Sequence, residues 1–189
     1  MQSNSGPITG NTIRRFSGGY FDFADPESTP VSLVDIAVGL SNTCRFAGQL
    51  NEFYSVAEHS IHCLHVANEM GCSLYEKRAV FMHDAAEAFV GDVPKPLKIM
   101  LPGYKQIEKQ VEAAIFKHFD IVMFPVVKEI DLMLLRAEKE HFFGKQDQWH
   151  DLDGVKDCSS VVSISCMKPK IAKSAFMAEA YDLGLSVNE

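Results

Sequence analysis

Capping and breaking residues divide this chain into a series of segments with helical periodicity and leave no ladder of strands between them. From Ser32 onward, Leu33, Ile36, Ala37 and Leu40 recur at three- and four-residue steps, and Ser32 can cap a helix expected to end near Arg45 to Gly48. Ser55 stands three residues before Glu58, the spacing of a capping box, and opens a second helix that Gly71 should stop. Ser73 and Glu76 repeat the signal for a third helix, through Ala79, Val80 and His83 to about Phe89, before Gly91 and Pro94 break it. The segment VPKPLK then predicts a turn and a short helical piece.

Pro102 and Gly103 open a fourth helix carrying Ile107, Val111, Ala114, Ile115 and His118 at amphipathic spacing, and a fifth is expected from about Val126 to Phe143. Residues 144–160 read as an exposed polar loop, VVSIS at 161–165 as a lone strand or an extended edge, and Ile171 to Leu183 as a last helix. The fold class is therefore all-α, a helical bundle. Residues 1–30, with Gly6, Pro7, Gly10, Gly18, Gly19, Pro26 and Pro30, form an irregular arm. Tyr20, Phe21 and Phe23 suit its second half to packing on the body or forming a short ribbon, and residues 31–189 make one helical domain.

At 189 residues there is room for one core, so one site is sought. Lys and Arg number 18 against 25 Asp and Glu, a net charge of −7 that repels a nucleic-acid backbone and excludes long DNA or RNA as a general partner. A small anion can still bind where local cations and a metal outweigh that distant charge. The five cysteines are odd in number and never form C-x-x-C, which points to reduced thiols and a cytoplasmic setting. No run approaches 18 apolar residues, so no membrane partner is expected.

His83 and Asp84 are adjacent, with Glu87 three residues on and Asp92 eight residues on, beside Ala85, Ala86, Ala88 and Phe89. That density of imidazole and carboxylate is unusual for a solvated face, and the two groups together suit Mn²⁺, Fe²⁺, Co²⁺ or Zn²⁺ while leaving positions for water and substrate. His59 offers another imidazole from the preceding helix and Asp131 another carboxylate from a later one. Each also has a plain structural reading: Asp131 as an acid favourable to a helix N-terminus, Glu87 and Asp92 as exposed acids. His118 and His141 are assigned to packing or surface. His62 and His65 form a three-residue ladder with His59 that leaves a second metal conceivable, although His62 reads better as buried or supporting.

Taken together, FYSVAEHS at 53–60, HDAAEAFVGDVPKPLK at 83–98 and Ile130-Asp131 resemble the HD-domain metal-dependent phosphohydrolases, over about Ile36 to Arg136. Small phage and bacterial deoxynucleotide-cleaving members are the most similar. The resemblance implies that His59, His83, Asp84 and Asp131 hold one divalent metal ion (Mn²⁺, Co²⁺, Zn²⁺, Fe²⁺ or Mg²⁺), and that Glu87 and Asp92 are the catalytic carboxylates. It places Arg45 and Lys98 against phosphate, with Lys95 and Lys105 as weaker candidates, and Phe46 in position to line the base or sugar pocket. It further implies a homo-oligomer in the bacterial or host cytoplasm. The expected reaction is cleavage of a deoxynucleoside triphosphate, with dATP favoured, to deoxynucleoside and triphosphate. A 5′-deoxynucleotidase acting on dNMP is the alternative within the family, and a nucleotide sensor without catalysis or a plain structural bundle are alternatives outside it.

Overall fold

The computed structural model describes residues 10–185; positions 1–9 of the arm, including Gly6 and Pro7, lie outside the described residues. The order is β1 (Thr12–Arg14), β2 (Tyr20–Asp22), α1 (Leu33–Asn42), α2 (Val56–Glu69), α3 (Leu74–Met82), α4 (Glu87–Val90), α5 (Lys95–Met100), α6 (Pro102–Phe119), α7 (Pro125–Phe143) and α8 (Pro169–Asp182). It is an all-α bundle carrying one two-stranded antiparallel ribbon, in which Ile13 pairs with Phe21. No helix among the described residues is long and apolar enough to cross a membrane.

The bundle is built around α2. Val56 through Leu64, with Val66 and Ala67, are all buried, and the helix is enclosed by α1, α3, α7 and α8. A helix buried on every side must satisfy whatever polar groups it carries from inside the protein, and α2 carries Glu58, His59, Ser60 and His62. The outer helices close the core with apolar stripes: Phe176 of α8 stacks on Phe81 of α3 at 4.3 Å, and Ile130 and Leu134 of α7 are fully buried. The ribbon packs down through Phe21, stacked on Phe89 at 4.2 Å. Asp35 anchors the arm, accepting from the Ser17 N–H and hydroxyl at 2.7 Å each, with Arg15 3.3 Å away. Burial works against the Asp35 carboxylate, but these bonds outweigh it and hold its pKa below the ordinary value.

Three expectations are corrected. The first helix ends at Asn42: the Thr43 N–H and hydroxyl both return to the Gly39 carbonyl, after which Cys44 pairs antiparallel with Ser55. The third stops at Met82, because successive i→i−3 bonds from Ala85, Glu87 and Ala88 tighten residues 83–86 into turns before α4. VVSIS forms no strand, because the Glu58 carboxylate takes the Ser165 N–H at 2.9 Å and the Met167 N–H at 2.6 Å, supplying acceptors that a neighbouring strand would otherwise provide. Glu58 is thereby diverted from its expected capping box, although the Ser55 hydroxyl still accepts from the Glu58 N–H. Ser73 and Glu76 form the complete box.

Gly39 sets how close α4 lies to α1. A Cβ there would stand 2.4 Å from the Ala88 carbonyl oxygen and 2.7 Å from its Cα, so only glycine permits the approach that seats Glu87, the neighbour of Ala88. Gly39→Ala should gain up to about 1 kcal/mol in helix propensity and lose about 1–3 kcal/mol to overpacking. Net destabilisation in chemical denaturation is expected, and a stabilised variant would mean that the two helices are not held at this distance.

Candidate metal centre

Three elements bring four side chains to one point. His59 lies on α2, His83 caps the C-terminus of α3 with Asp84 in the turn after it, and Asp131 lies in the second turn of α7. The Asp84 carboxylate is 3.2 Å from His83 Nε2 and 3.6 Å from His59 Nε2, and that of Asp131 is 3.9 Å and 3.7 Å from the same atoms. The fourth side of His59 is Cys63, whose Sγ is 3.5 Å from Nε2. His59, Cys63 and His83 present ligand atoms within 4.8 Å of one another, a group that can hold a metal ion.

The hydrogen bonds fix which lone pairs face inward. His59 Nδ1 is 2.6 Å from the Glu138 carboxylate and His83 Nδ1 is 2.7 Å from the Val80 carbonyl. Both partners only accept, so each Nδ1 carries a proton, and in the neutral ring each Nε2 is the nitrogen that presents a lone pair. His83 Nε2 is buried with no hydrogen-bond partner. Two lone pairs turned toward two carboxylates repel unless something positive lies between them. Without a metal the surroundings favour a proton there: burial disfavours the charged His83 ring, but Asp84 and Asp131 outweigh burial and raise its pKa well above the ordinary value. Proton and metal compete for such a site.

Glu138, also on α7, supports the arrangement. Fully buried, it accepts from His59, from the Tyr54 hydroxyl at 2.8 Å and from Arg45 at 2.9 Å. Burial alone would neutralise it, but Arg45 and His59 keep its pKa below the ordinary range, so it stays ionised. Arg45 spans outward from Glu138 to Asp84, 3.7 Å away. Sequence reasoning missed Glu138, Tyr54 and Cys63. The available signal for Glu138 was its position seven residues after Asp131, two turns along one helix face.

The remaining candidates divide. Glu87 is buried beside Lys98, 3.4 Å away, and its Oε2 has no partner. Burial and then Asp84 and Asp92 push its pKa well up. Burial raises the Asp92 pKa against the pull of Arg45 and Lys98, so Asp92 lies within the field of the same charges. Lys98 is held at 2.5 Å by Glu108, Lys95 pairs at the surface with Asp151, and Lys105 is exposed on α6. Lys128, another residue missed, lies 2.7 Å from Asp131. Phe46 follows Arg45 into a left-handed turn in which Phe46, Ala47 and Gly48 have φ of 55°, 52° and 72°. Each of the two non-glycine residues costs about 1–2 kcal/mol in that conformation. His62 is buried with both ring nitrogens lacking hydrogen-bond partners, 3.5 Å from Glu58, while His65 lies 3.8 Å from Glu179; neither joins a metal-holding group among the described residues.

No family model matches the chain. It belongs to the family of the Escherichia coli protein YfdR, with which it is 36% identical over 175 residues, covering 90% of this chain and 94% of that protein. It is also 29% identical over 184 residues to a protein of Rhodobacter capsulatus, again covering 90% and 94% of the two chains. Both relatives are described as uncharacterized, so the comparison gives kinship without an activity.

Glu138→Leu should destabilise the protein by about 3–5 kcal/mol, because it removes the near partner of the buried Arg45 at 2.9 Å and leaves it only Asp84 at 3.7 Å. The double variant with Arg45→Met should recover part of that loss. Equal losses in the single and double variants, read by urea denaturation, would contradict the assigned pairing.

Proposed function

We propose that the protein is an HD-type phosphohydrolase that uses one divalent cation to cleave a deoxynucleotide, with water attacking the phosphorus next to the sugar 5′-oxygen. The ligands in this reading are His59, His83, Asp84 and Asp131. The observation that supports it is the unpartnered, buried Nε2 of His83, facing Asp84 at 3.2 Å beside a second imidazole oriented in the same way. Cys63 suits the role less well: burial, and then Asp131, Glu138 and Asp84, raise its pKa well above the ordinary thiol, so ionising it would add a fourth negative charge.

A cation held there supplies water activation and polarises a phosphoryl oxygen. Glu87, whose pKa is raised by burial and then by Asp84 and Asp92, is shifted in the direction that suits a group exchanging protons with water, and it takes the proton of the attacking water. Arg45 offers its guanidinium beside Asp84 to the phosphate next to the sugar. The Asp92 charge is among those that raise the Glu87 pKa.

The choice of substrate turns on the cations. A triphosphate such as dATP needs several beyond the reacting phosphorus, and of the three lysines expected to serve, Lys95 is engaged by Asp151 and Lys105 is exposed. Lys98 would have to exchange Glu108 for a β- or γ-phosphate. That observation favours the 5′-deoxynucleotidase over the triphosphohydrolase. A nucleotide sensor would bind at the same residues without turnover.

Incubation with each dNTP, NTP and dNMP plus Mn²⁺, Co²⁺, Zn²⁺ or Mg²⁺ should yield phosphate from dNMP, or triphosphate from dNTP. Asp84→Ala should lose both metal and turnover while its circular dichroism stays helical. Glu87→Gln should keep the metal and lose about 10²- to 10⁴-fold in rate. Full turnover in Asp84→Ala would overturn the ligand set, and saturable nucleotide binding with no product under any metal would leave the sensor.

A further inference from the structure

We infer that Phe46, Phe143 and Trp149 form a stacking site for the planar base of a nucleotide whose phosphate lies at Arg45. The inference rests on the phosphohydrolase reading for the phosphate end and for Phe46, which the resemblance already implies at the base or sugar pocket, and on the aromatic geometry for Phe143 and Trp149.

On α7, Asp131, Glu138 and Phe142 share one face at spacings of seven and four residues. Moving along that face leads from the candidate metal ligands, past the carboxylate that holds Arg45, to an aromatic group about 6 Å further on. There the Phe46 ring lies 5.5 Å from Phe143, 6.2 Å from Phe142 and 6.3 Å from Trp149, and Phe143 lies 5.7 Å from Trp149. The Arg45 guanidinium sits 5.4 Å over the Phe46 ring, so one arginine joins the phosphate end to the aromatic end.

None of the three rings in the proposed site is fully buried, although each makes ring contacts. Each therefore keeps part of its surface accessible, which the rings of a fully buried core cluster do not. Phe46 is held in its place by the left-handed turn at residues 46–48, whose entry is fixed by the Arg45 N–H bonded to the Tyr54 carbonyl at 2.9 Å. Trp149 is brought from the other side by the loop after α7, which Lys95 of α5 ties down through Asp151 at 2.6 Å and Arg136 through the Val155 carbonyl. That loop therefore reaches from the end of α7 to the helix following Asp92. Trp149 also borders an open cleft of about 270 Å³, walled by Arg136 and Lys139 but equally by Glu140, Asp147 and Asp153, so the cleft beside the rings has no net cationic lining. Stacking of this kind accepts any base, because each has a π-face.

Trp149 is the single tryptophan of the chain, so its fluorescence reports on this site without relying on turnover. In the Glu87→Gln variant with Mn²⁺, dAMP or dTMP should change that fluorescence saturably, whereas 2-deoxyribose 5-phosphate, which has the phosphate and sugar but no base, should not. In the otherwise native protein, Trp149→Ala should raise KM for a nucleotide on the order of ten- to a hundredfold with little change in kcat, and Trp149→Phe should restore most of the loss. Unchanged fluorescence together with a wild-type KM in Trp149→Ala would overturn the base site and leave the phosphohydrolase intact. A base-dependent fluorescence change in a protein that hydrolyses no nucleotide would support the base site and overturn the hydrolase.

Discussion

The Glu138 carboxylate is the charge on which the interior depends. It has no exposure to solvent and accepts from three groups on two other parts of the chain: Arg45 and Tyr54 from the segment between α1 and α2, and His59 from α2. Taking a carboxylate out of water costs several kcal/mol after relaxation, and the cost is offset only because Arg45 brings a full positive charge and the other two bring hydrogen bonds. The result is directional. Each donor is fixed by its bond, so His59 turns Nε2 toward Asp84 and Asp131, and Arg45 keeps a second nitrogen for Asp84.

The polar line along α2 has two outcomes from one cause. An enclosed helix must pair its polar side chains internally, and Glu58 and His59 do so in opposite directions. Glu58 captures the backbone of residues 165–167 and fixes the segment leading into α8. His59 is captured by α7 and becomes part of the candidate metal centre. Structural and functional pairing are thus neighbours on one helix. The left-handed turn at Phe46 and the close approach at Gly39 are further constraints met around the site, each absorbed by packing elsewhere.

Much of the fold was legible because caps and breakers act locally. Ser32, Ser55, Ser73, Pro102 and the Gly71 stop lie within one or two residues of observed boundaries. Where the reading failed, a distant partner had changed the local outcome: Glu58 left its own capping box for a segment more than a hundred residues away, and the pairing of Cys44 with Ser55 replaced the end of the first helix. For the site, the order of His59, His83, Asp84 and Asp131 was readable, and the four side chains do converge. Glu138 was not singled out, because a lone glutamate on a long helix looks like a solvated charge until its three donors are seen. The partners of the lysines were not readable for a related reason: a cation in a polar segment gives no sign of which carboxylate lies beside it, and Asp151 and Glu108 are invisible as partners in sequence.

The central claim, that two oriented imidazoles and two carboxylates are built to hold one cation, is tested most directly by titrating the metal-free protein with Co²⁺ and recording its absorption. The account predicts one ion per chain, with the weak ligand-field bands of nitrogen and oxygen donors and no intense thiolate-to-metal band. Absence of stoichiometric binding would contradict the centre itself. An intense thiolate band would put Cys63 in place of a carboxylate and contradict the ligand set.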